Sequence, residues 1–398
     1  MNGVGTDRGT TPVSVVLAGG GTTGHVAPLL ATAEALLRRD PRTRVTVLGT
    51  AEGLEARLVP EAGLTLRHVP RVPLPRRPSV DLLRLPGRLL GAVRTSRQVM
   101  ADVDADVVVG FGGYVSTPAY LAARKAGLPI VVHEQNAMPG IANRLGARLT
   151  RHVATTFPGT RLPHAQHVGM PLRTAITTLD REALRAQGRA FFGLHPDLPV
   201  LLVTGGSLGA QRLNRTMPEA AAALAAAGIQ VLHVSGRGKE VRLPPGAPAA
   251  GPVGGVDGGV DGGAEGGAEG GDHRPRYVVV SYVDRMDLAY AACDAVVCRS
   301  GAGTVCELAA LGLPAAYVPL PVGNGEQRLN AESLVAAGGG LLVDDDEFTP
   351  QWVSTTLLPV LREPDQLADM STAARDLGVL DAADRLADLV IAAAREPS

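Results

Sequence analysis

Three glycine-rich turns constrain this chain more than any other feature of its sequence. They are AGGGTTGH (Ala18 to His25), GFGGYVSTP (Gly110 to Pro118) and GGSLGA (Gly205 to Ala210). Each follows a short apolar run, namely Val13 to Leu17, Asp106 to Val109 and Val200 to Val203, and each leads into a helical pattern. A strand, a tight glycine turn and a helix start form the opening of a βαβ unit. That arrangement presents backbone N–H groups and the positive end of a helix dipole to anions.

The same alternation continues on both sides of the turns. Strands are predicted at Arg44 to Leu48, Leu64 to Val69, Ile130 to His133, His152 to Thr155, Gln230 to Val234, Tyr277 to Val280, Ala295 to Cys298 and Ala315 to Val318. Helices are predicted at Val26 to Arg38, Thr117 to Lys125, Gln211 to Ala227, Thr304 to Leu311 and Gln327 to Ala337, with two or three more after Thr349. Strands that alternate with helices give a parallel sheet covered on both faces. The pattern restarts near Val200, and 398 residues exceed what one core usually holds. The fold class is therefore α/β, with two doubly wound Rossmann-like domains. We expect a hinge near Pro171 to Thr178, with residues 1–172 on one side and 173–379 on the other. A C-terminal helix at about 380–398 is expected to pack back on the first domain.

Residues 245–275 interrupt the second domain. Twelve glycines fall between Gly246 and Gly271, in a run that includes GGVDGGVDGGAEGGAE. Such a stretch buries too little apolar area to offset its ordering entropy, and it reads as an acidic surface loop. A calcium-binding repeat fits neither its period nor its ligand count.

Composition excludes several function classes. With 38 basic against 39 acidic residues and 3% aromatics, neither a global nucleic-acid footprint nor a base-stacking platform is expected. Cys293, Cys298 and Cys306 match no zinc spacing and read as small core residues in a reducing compartment. The first residues, MNGVGTDRGTTP, lack the apolar stretch of a secretory signal, and no run of 18 apolar residues spans a bilayer.

The first turn matches G-x-G-x-x-G through Gly19, Gly21 and Gly24. A dinucleotide site also wants an acidic residue closing the second strand. That strand ends Val47-Leu48-Gly49-Thr50, with Glu52 beyond it, so the dinucleotide reading is disfavoured. A fourth constellation, RSGAGTVCE (Arg299 to Glu307), follows the strand Ala295 to Cys298. Glu307 stands at capping-box spacing from Thr304, or it is a carboxylate free to take two ribose hydroxyls. GNGEQRLNA (Gly323 to Ala331) offers Gln327 and Asn330 as neutral partners for a sugar, or as an ordinary polar first turn.

Taken together, AGGGTTGH, GFGGYVSTP, HEQN (His133 to Asn136), GMPLR (Gly169 to Arg173), GGSLGAQRLN (Gly205 to Asn214) and RSGAGTVCE resemble the MurG family, of the glycosyltransferase family 28 type. The resemblance runs from about Val13 to the final helix. It implies a GT-B fold, two Rossmann-like domains facing across a cleft. It also implies inverting transfer of GlcNAc from UDP-GlcNAc to the MurNAc 4-hydroxyl of lipid I, which makes lipid II for peptidoglycan.

By that similarity, Ser207 would contact the diphosphate and Arg173 would lie near the nucleotide. The backbone of Val283 would lie beside uracil. Ala302, Gly303, Thr304, Val305, Cys306 and Glu307 would line the nucleotide site, with Glu307 on the ribose. Gln327 and Asn330 would bind the GlcNAc hydroxyls. Thr22, Thr23, Gly24 and Asn136 would close on the donor sugar. His25 is the candidate general base, because an imidazole of ordinary pKa ~6.5 suits proton abstraction at neutral pH. Glu134 is the runner-up. Gly112, Gly113, Tyr114 and His133 belong to the acceptor side. Thr23 stands where many members carry glycine, and Leu208, Glu326 and Arg328 also depart from common family residues.

No cofactor is required by this scheme. The acidic clusters Asp102, Asp104, Asp106 and Asp344 to Asp346 read as solvated loop carboxylates rather than metal ligands. Between Arg67 and Arg97 lie eight arginines and one acid, Asp81. Leu82, Leu85, Leu89 and Val93 recur there at helical spacing, with Pro86 expected to end or kink the helix. Arg76, Arg77, Leu82, Leu85, Arg88 and Leu89 form the expected membrane patch, unless the helix simply packs on its own sheet. The expected location is peripheral, on the cytoplasmic side of the cell membrane. Expected partners are UDP-GlcNAc, lipid I, an anionic membrane surface, and proteins of cell-wall synthesis and division. Competing readings are a GT-B transferase with another lipid or natural-product acceptor, and a sugar-nucleotide sensor without turnover.

Overall fold

The computed structural model describes residues 12–72, 80–206, 211–245, 274–322 and 324–396, with the side chains of residues 80–84 excepted. The glycine-rich stretch, Ser207, Arg76, Arg77 and the side chain of Leu82 lie outside this description. The chain divides into two compact units, residues 1–174 with 379–398, and residues 175–378.

The first unit holds strands β1 (Ser14–Ala18), β2 (Arg44–Gly49), β3 (Thr65–His68), β4 (Val107–Gly110), β5 (Ile130–Glu134), β6 (His152–Thr155) and β7 (Ala165–His167). They form one sheet in the order β3-β2-β1-β4-β5-β6-β7, and every pairing is parallel. β1, β4 and β5 are buried along their whole length, as their continuous Val and Leu runs require of a sheet covered on both faces. One face packs Leu29, Ala33 and Leu36 of helix Thr23–Arg39 with Leu386, Ala387 and Val390 of helix Ala382–Arg395. Arg38 and Arg39 of the first helix reach Asp384 and Asp388 of the second at 2.8 and 2.9 Å. The other face packs helix Gly113–Ala126 with helix Val80–Asp102.

The second unit holds β8 (Val200–Thr204), β9 (Gln230–Val234), β10 (Tyr277–Val280), β11 (Ala295–Cys298), β12 (Ala315–Tyr317) and β13 (Gly340–Leu342). Its sheet runs β10-β9-β8-β11-β12-β13, again parallel throughout. In both sheets the winding reverses beside the first strand, between β1 and β4 and between β8 and β11. Ligands of open α/β sheets gather beyond the carboxyl ends of the strands at such points. All four glycine-rich or glycine-containing turns singled out in the sequence leave these four strands.

Some local expectations are corrected. Helix Val80–Asp102 runs through Pro86 without ending there. Proline removes one i→i−4 bond near the helix start, and the following residues down to Asp102 keep theirs. The expected helix Gln211 to Ala227 is two, Gln211–Glu219 and Ala221–Ala226, with Pro218 just before the break. β7 and β13, three residues each, were not predicted.

Candidate functional site

The first turn places His25 inside helix Thr23–Arg39, two residues after its start. That helix begins three residues earlier than its apolar periodicity predicts. Thr22 is the N-cap residue, and its carbonyl accepts from His25 N and Val26 N at 3.1 and 3.2 Å. The Thr22 hydroxyl stands 3.1 Å from His25 Nδ1. The second turn comes to the same imidazole. Gly112 and Gly113 hold φ of +87° and +78°, and a Cβ on Gly112 would sit 3.2 Å from His25 Nε2. These two positions therefore need glycine both for backbone conformation and for room. Burial pushes the His25 pKa down, while a hydrogen bond to the Gly20 carbonyl and the charge of Glu55 oppose that shift. The net direction is below the ordinary value, so the imidazole is neutral at neutral pH and able to accept a proton.

Tyr114 is exposed beside this pair of turns, with the Arg71 guanidinium 5.1 Å from its ring centre. With Gly20, Gly21, Thr50, Glu52, Gly53, Glu55 and Val115 they line a small cavity of about 80 Å³. Glu55 is the residue that sequence reasoning missed. The search for an acid after β2 stopped at Glu52, whereas Glu55 is fully buried and bonds to Gly21 N, Thr50 N and the Thr50 hydroxyl. One N–H of the supposed anion-binding turn is therefore already occupied.

HEQN serves the fold more than the chemistry expected of it. His133 is fully buried and bonded to the Gly169 carbonyl, and burial drives its pKa down to about 4. A buried ring with those partners does not face an acceptor. Glu134 is 2% exposed, and its carboxylate accepts from Asn136 N, Gly140 N and Asn143 Nδ2 at 2.9 to 3.0 Å. Burial raises its pKa against those bonds. Glu134 thus clamps the loop after β5, and its place as runner-up base is withdrawn. Asn136, part of that clamped loop, is partly exposed.

In the second unit, helix Ala302–Leu311 follows β11 directly, capped by Gly301. The capping box proposed for Thr304 and Glu307 does not form, because both lie inside the helix. Glu307 instead accepts a hydrogen bond of 2.8 Å from the Tyr290 hydroxyl. Gly303, Thr304, Cys306 and Glu307 are partly exposed, whereas Ala302 and Val305 are buried. Burial pushes the Cys306 thiol up to about 12, which makes it an inert thiol at neutral pH. Gln327 is partly exposed, and its Oε1 accepts from Leu320 N at 3.0 Å. Asn330 is fully buried and donates to the Ser300 carbonyl at 3.3 Å. Its amide ties helix Glu326–Ala336 to the turn after β11. Val283 lies in a loop between β10 and helix Met286–Ala292, 6% exposed. Arg173, in the first unit, is exposed.

The acidic clusters are exposed, apart from the partly buried Asp345, and several of their members are also paired. Asp106 accepts from Ser14 N at 2.7 Å, and Asp102 pairs with Arg67 at 2.9 Å. Asp344 pairs with Arg328, and Asp345 stands 2.6 Å from the buried Arg299. A wider cavity of about 440 Å³ lies there, between Pro319 to Pro321, Gly325, Arg328 and Asp344 to Asp346.

Comparison with known proteins fits this double arrangement. The N-terminal domain of glycosyltransferase family 28 matches residues 15–155, and the C-terminal domain of the same family matches residues 200–386. The chain belongs to glycosyltransferase family 28. Family 28 relatives include a protein of Streptomyces coelicolor, 52% identical over 379 residues, covering 94% of this chain and 97% of the relative. Another, from Mycolicibacterium smegmatis, is 53% identical over 394 residues, covering 98% and 95%. Both are named UDP-N-acetylglucosamine–N-acetylmuramyl-(pentapeptide) pyrophosphoryl-undecaprenol N-acetylglucosamine transferase. The crystal structure of Acinetobacter baumannii MurG is 27% identical, covers 96% of this chain and 100% of its own, and superposes with a TM-score of 0.71. The calicheamicin glycosyltransferase CalG4, 17% identical with a TM-score of 0.63, shares the GT-B fold.

Proposed function

We propose that this family 28 chain transfers GlcNAc from UDP-GlcNAc to the MurNAc 4-hydroxyl of lipid I, with inversion, to give lipid II. The observation that carries this reading is the match of 52–53% identity, over nearly the whole chain, to relatives that bear that activity in their names.

The chemistry follows from the groups around the two switch points. His25, neutral and set against Gly112 and Gly113, takes the proton of the acceptor hydroxyl as its oxygen attacks C1 of the donor sugar. UDP departs from the opposite face. A general base of this kind supplies roughly 10²–10⁴-fold in rate. The turn after β11 and the start of helix Ala302–Leu311 hold the nucleotide, with Glu307 on the ribose and Gln327 near the sugar. Backbone N–H groups there and Arg173 stabilise the leaving diphosphate. Tyr114 and Arg71 take part in placing the acceptor.

The acceptor is lipid-linked, so the enzyme works at a membrane surface. Among the described residues no helix is long and apolar enough to cross a membrane. Helix Val80–Asp102 is the proposed contact. Arg88, Arg94 and Arg97 are exposed and Leu90 is 51% exposed, whereas Leu89 packs partly on the core. Each arginine near an anionic leaflet contributes about 1 kcal/mol. Flotation with anionic vesicles should be lost at high salt; binding indifferent to salt and to lipid charge removes this contact.

The deciding assay is transfer of labelled GlcNAc from UDP-GlcNAc to a soluble lipid I analogue. The wild-type chain should turn over, His25→Ala should lose at least ~100-fold in kcat, and Glu307→Ala should weaken donor affinity instead. Absence of transfer by the wild-type chain overturns the reading.

A further inference from the structure

Glu55 has no role in the scheme above, yet its surroundings are built for it. It opens helix Glu55–Glu61, and its carboxylate is fully buried. Oε2 accepts from Gly21 N at 2.9 Å; Oε1 accepts from Thr50 N at 2.9 Å and from the Thr50 hydroxyl at 2.8 Å. Three glycines make the room. A Cβ on Gly20, Gly49 or Gly53 would lie 2.4, 2.5 or 2.1 Å from the Glu55 side chain. The turn after β1, the end of β2 and the turn that follows thus converge on one carboxylate. Burying a charge is costly, and an apolar side chain would fill the same space more cheaply. Burial alone would raise the Glu55 pKa, but the bonds from Gly21 and Thr50 outweigh it and keep the group ionised.

The link to chemistry runs through a single peptide group. The N–H of Gly21, held by Glu55, and the carbonyl of Gly20, which faces the His25 ring and raises its pKa, belong to the same peptide plane. A peptide is rigid and trans, so fixing the direction of its N–H fixes its C=O in the opposite direction. The second turn closes on the same carbonyl: a Cβ on Gly113 would meet Gly20 O at 2.6 Å. A ring proton given to that carbonyl leaves the other imidazole nitrogen with a free lone pair.

We propose that Glu55 is a positioning residue for the transfer reaction, aligning the Gly20–Gly21 peptide so that its carbonyl fixes the orientation and tautomer of His25. This rests on His25 acting as the base. The charged and titratable groups around that ring are Glu55 from helix Glu55–Glu61, Glu134 from β5 behind Asn143, and Tyr114 from helix Gly113–Ala126. Arg71 and Glu52 pair at 3.7 Å beside the small cavity.

The test uses the full chain, labelled UDP-GlcNAc and a soluble lipid I analogue, with Glu55→Gln, His25→Ala and the double variant. Glu55→Gln should lower kcat by roughly 30–100-fold, as a misplaced reacting group does, and leave the donor KM within about threefold. Its acid limb should move to lower pH, because the charge that raises the His25 pKa is gone. In the His25→Ala background the same change should cost nothing further, the mark of a residue acting through His25. Wild-type kcat in Glu55→Gln, beside an impaired His25→Ala, overturns this proposal alone. An equal loss in both backgrounds also overturns it. Full activity in His25→Ala removes the base assignment and this proposal with it. If Glu55→Gln fails to fold by circular dichroism, Thr50→Val withdraws one donor only. It should lower kcat roughly 3–10-fold, and an unchanged kcat overturns the proposal.

Discussion

The two units share one winding and differ in the charge that holds it. In the first, buried carboxylates collect backbone N–H groups: Glu55 takes Gly21 and Thr50, and Glu134 takes Asn136 and Gly140. In the second, guanidinium groups collect backbone carbonyls. Arg299 donates to Val318 and Pro319, Arg181 to Tyr290 and Cys293, and Arg189 to Ala292. A carboxylate clamp consumes the N–H groups that an anion would use, and an arginine clamp leaves them alone. The fold by itself thus does not assign the nucleotide; among the described residues, the turn after β1 has a donor taken by Glu55, whereas the turn after β11 is held through the Arg299 guanidinium.

The largest expected effect treats the units alike. His133 in the first and His233 in the second are fully buried and neutral, with pKa values driven down to about 4 and about 3. The unfolded imidazole titrates near ~6.5. Stability from each is complete above that pH and is lost as pH falls toward the folded value, on the order of 3 kcal/mol or more per histidine. Glu134, with a raised pKa, opposes part of this in the first unit. Melting curves from pH 7 to 4 should show the loss, and a flat profile contradicts both assignments.

Arg299→Met comes next. Among the described residues it leaves Asp345, 15% exposed, with Arg212 at 3.3 Å as its remaining ion-pair partner, and strips two carbonyls of their donor. We expect about 3 kcal/mol of destabilisation confined to the second unit, read by hydrogen exchange unit by unit. Equal loss in both units breaks the comparison. Glu134→Gln should cost about 1–3 kcal/mol in the first unit, because an amide nitrogen cannot accept from the N–H it would face. The same measurement checks it, and no change would show that the loop after β5 is held by other means. Smallest is Asp384→Ala. Its pairs with Arg38 and Arg39 are exposed, and about 1 kcal/mol or less should be lost in denaturant melts. A larger loss would mean that charge, not the apolar face of Leu386 and Val390, seats the last helix.

Much of this was legible in advance. Eleven strands announced themselves as apolar runs, most of them buried in the fold and β3 mostly exposed, and the turns after β1, β4, β8 and β11 by their glycines or small polar residues. β7 escaped because its three residues are all exposed and carry no alternation. The early start of helix Thr23–Arg39 escaped because Thr23 and Gly24 face solvent and add nothing to the apolar stripe. His25 was readable from its place in a motif. Glu55 was not, since its partners come from two turns separated in sequence and only the sheet brings them together. The polar face of HEQN misled in the opposite way: His133 and Glu134 look reactive in a sequence and are buried clamps in the fold.

Hydrogen exchange with and without UDP tests the central assignment most directly. The account predicts protection of amides between Gly301 and Glu307 in the second unit, with residues 19–25 unchanged. Protection of residues 19–25 with none between Gly301 and Glu307 would contradict it.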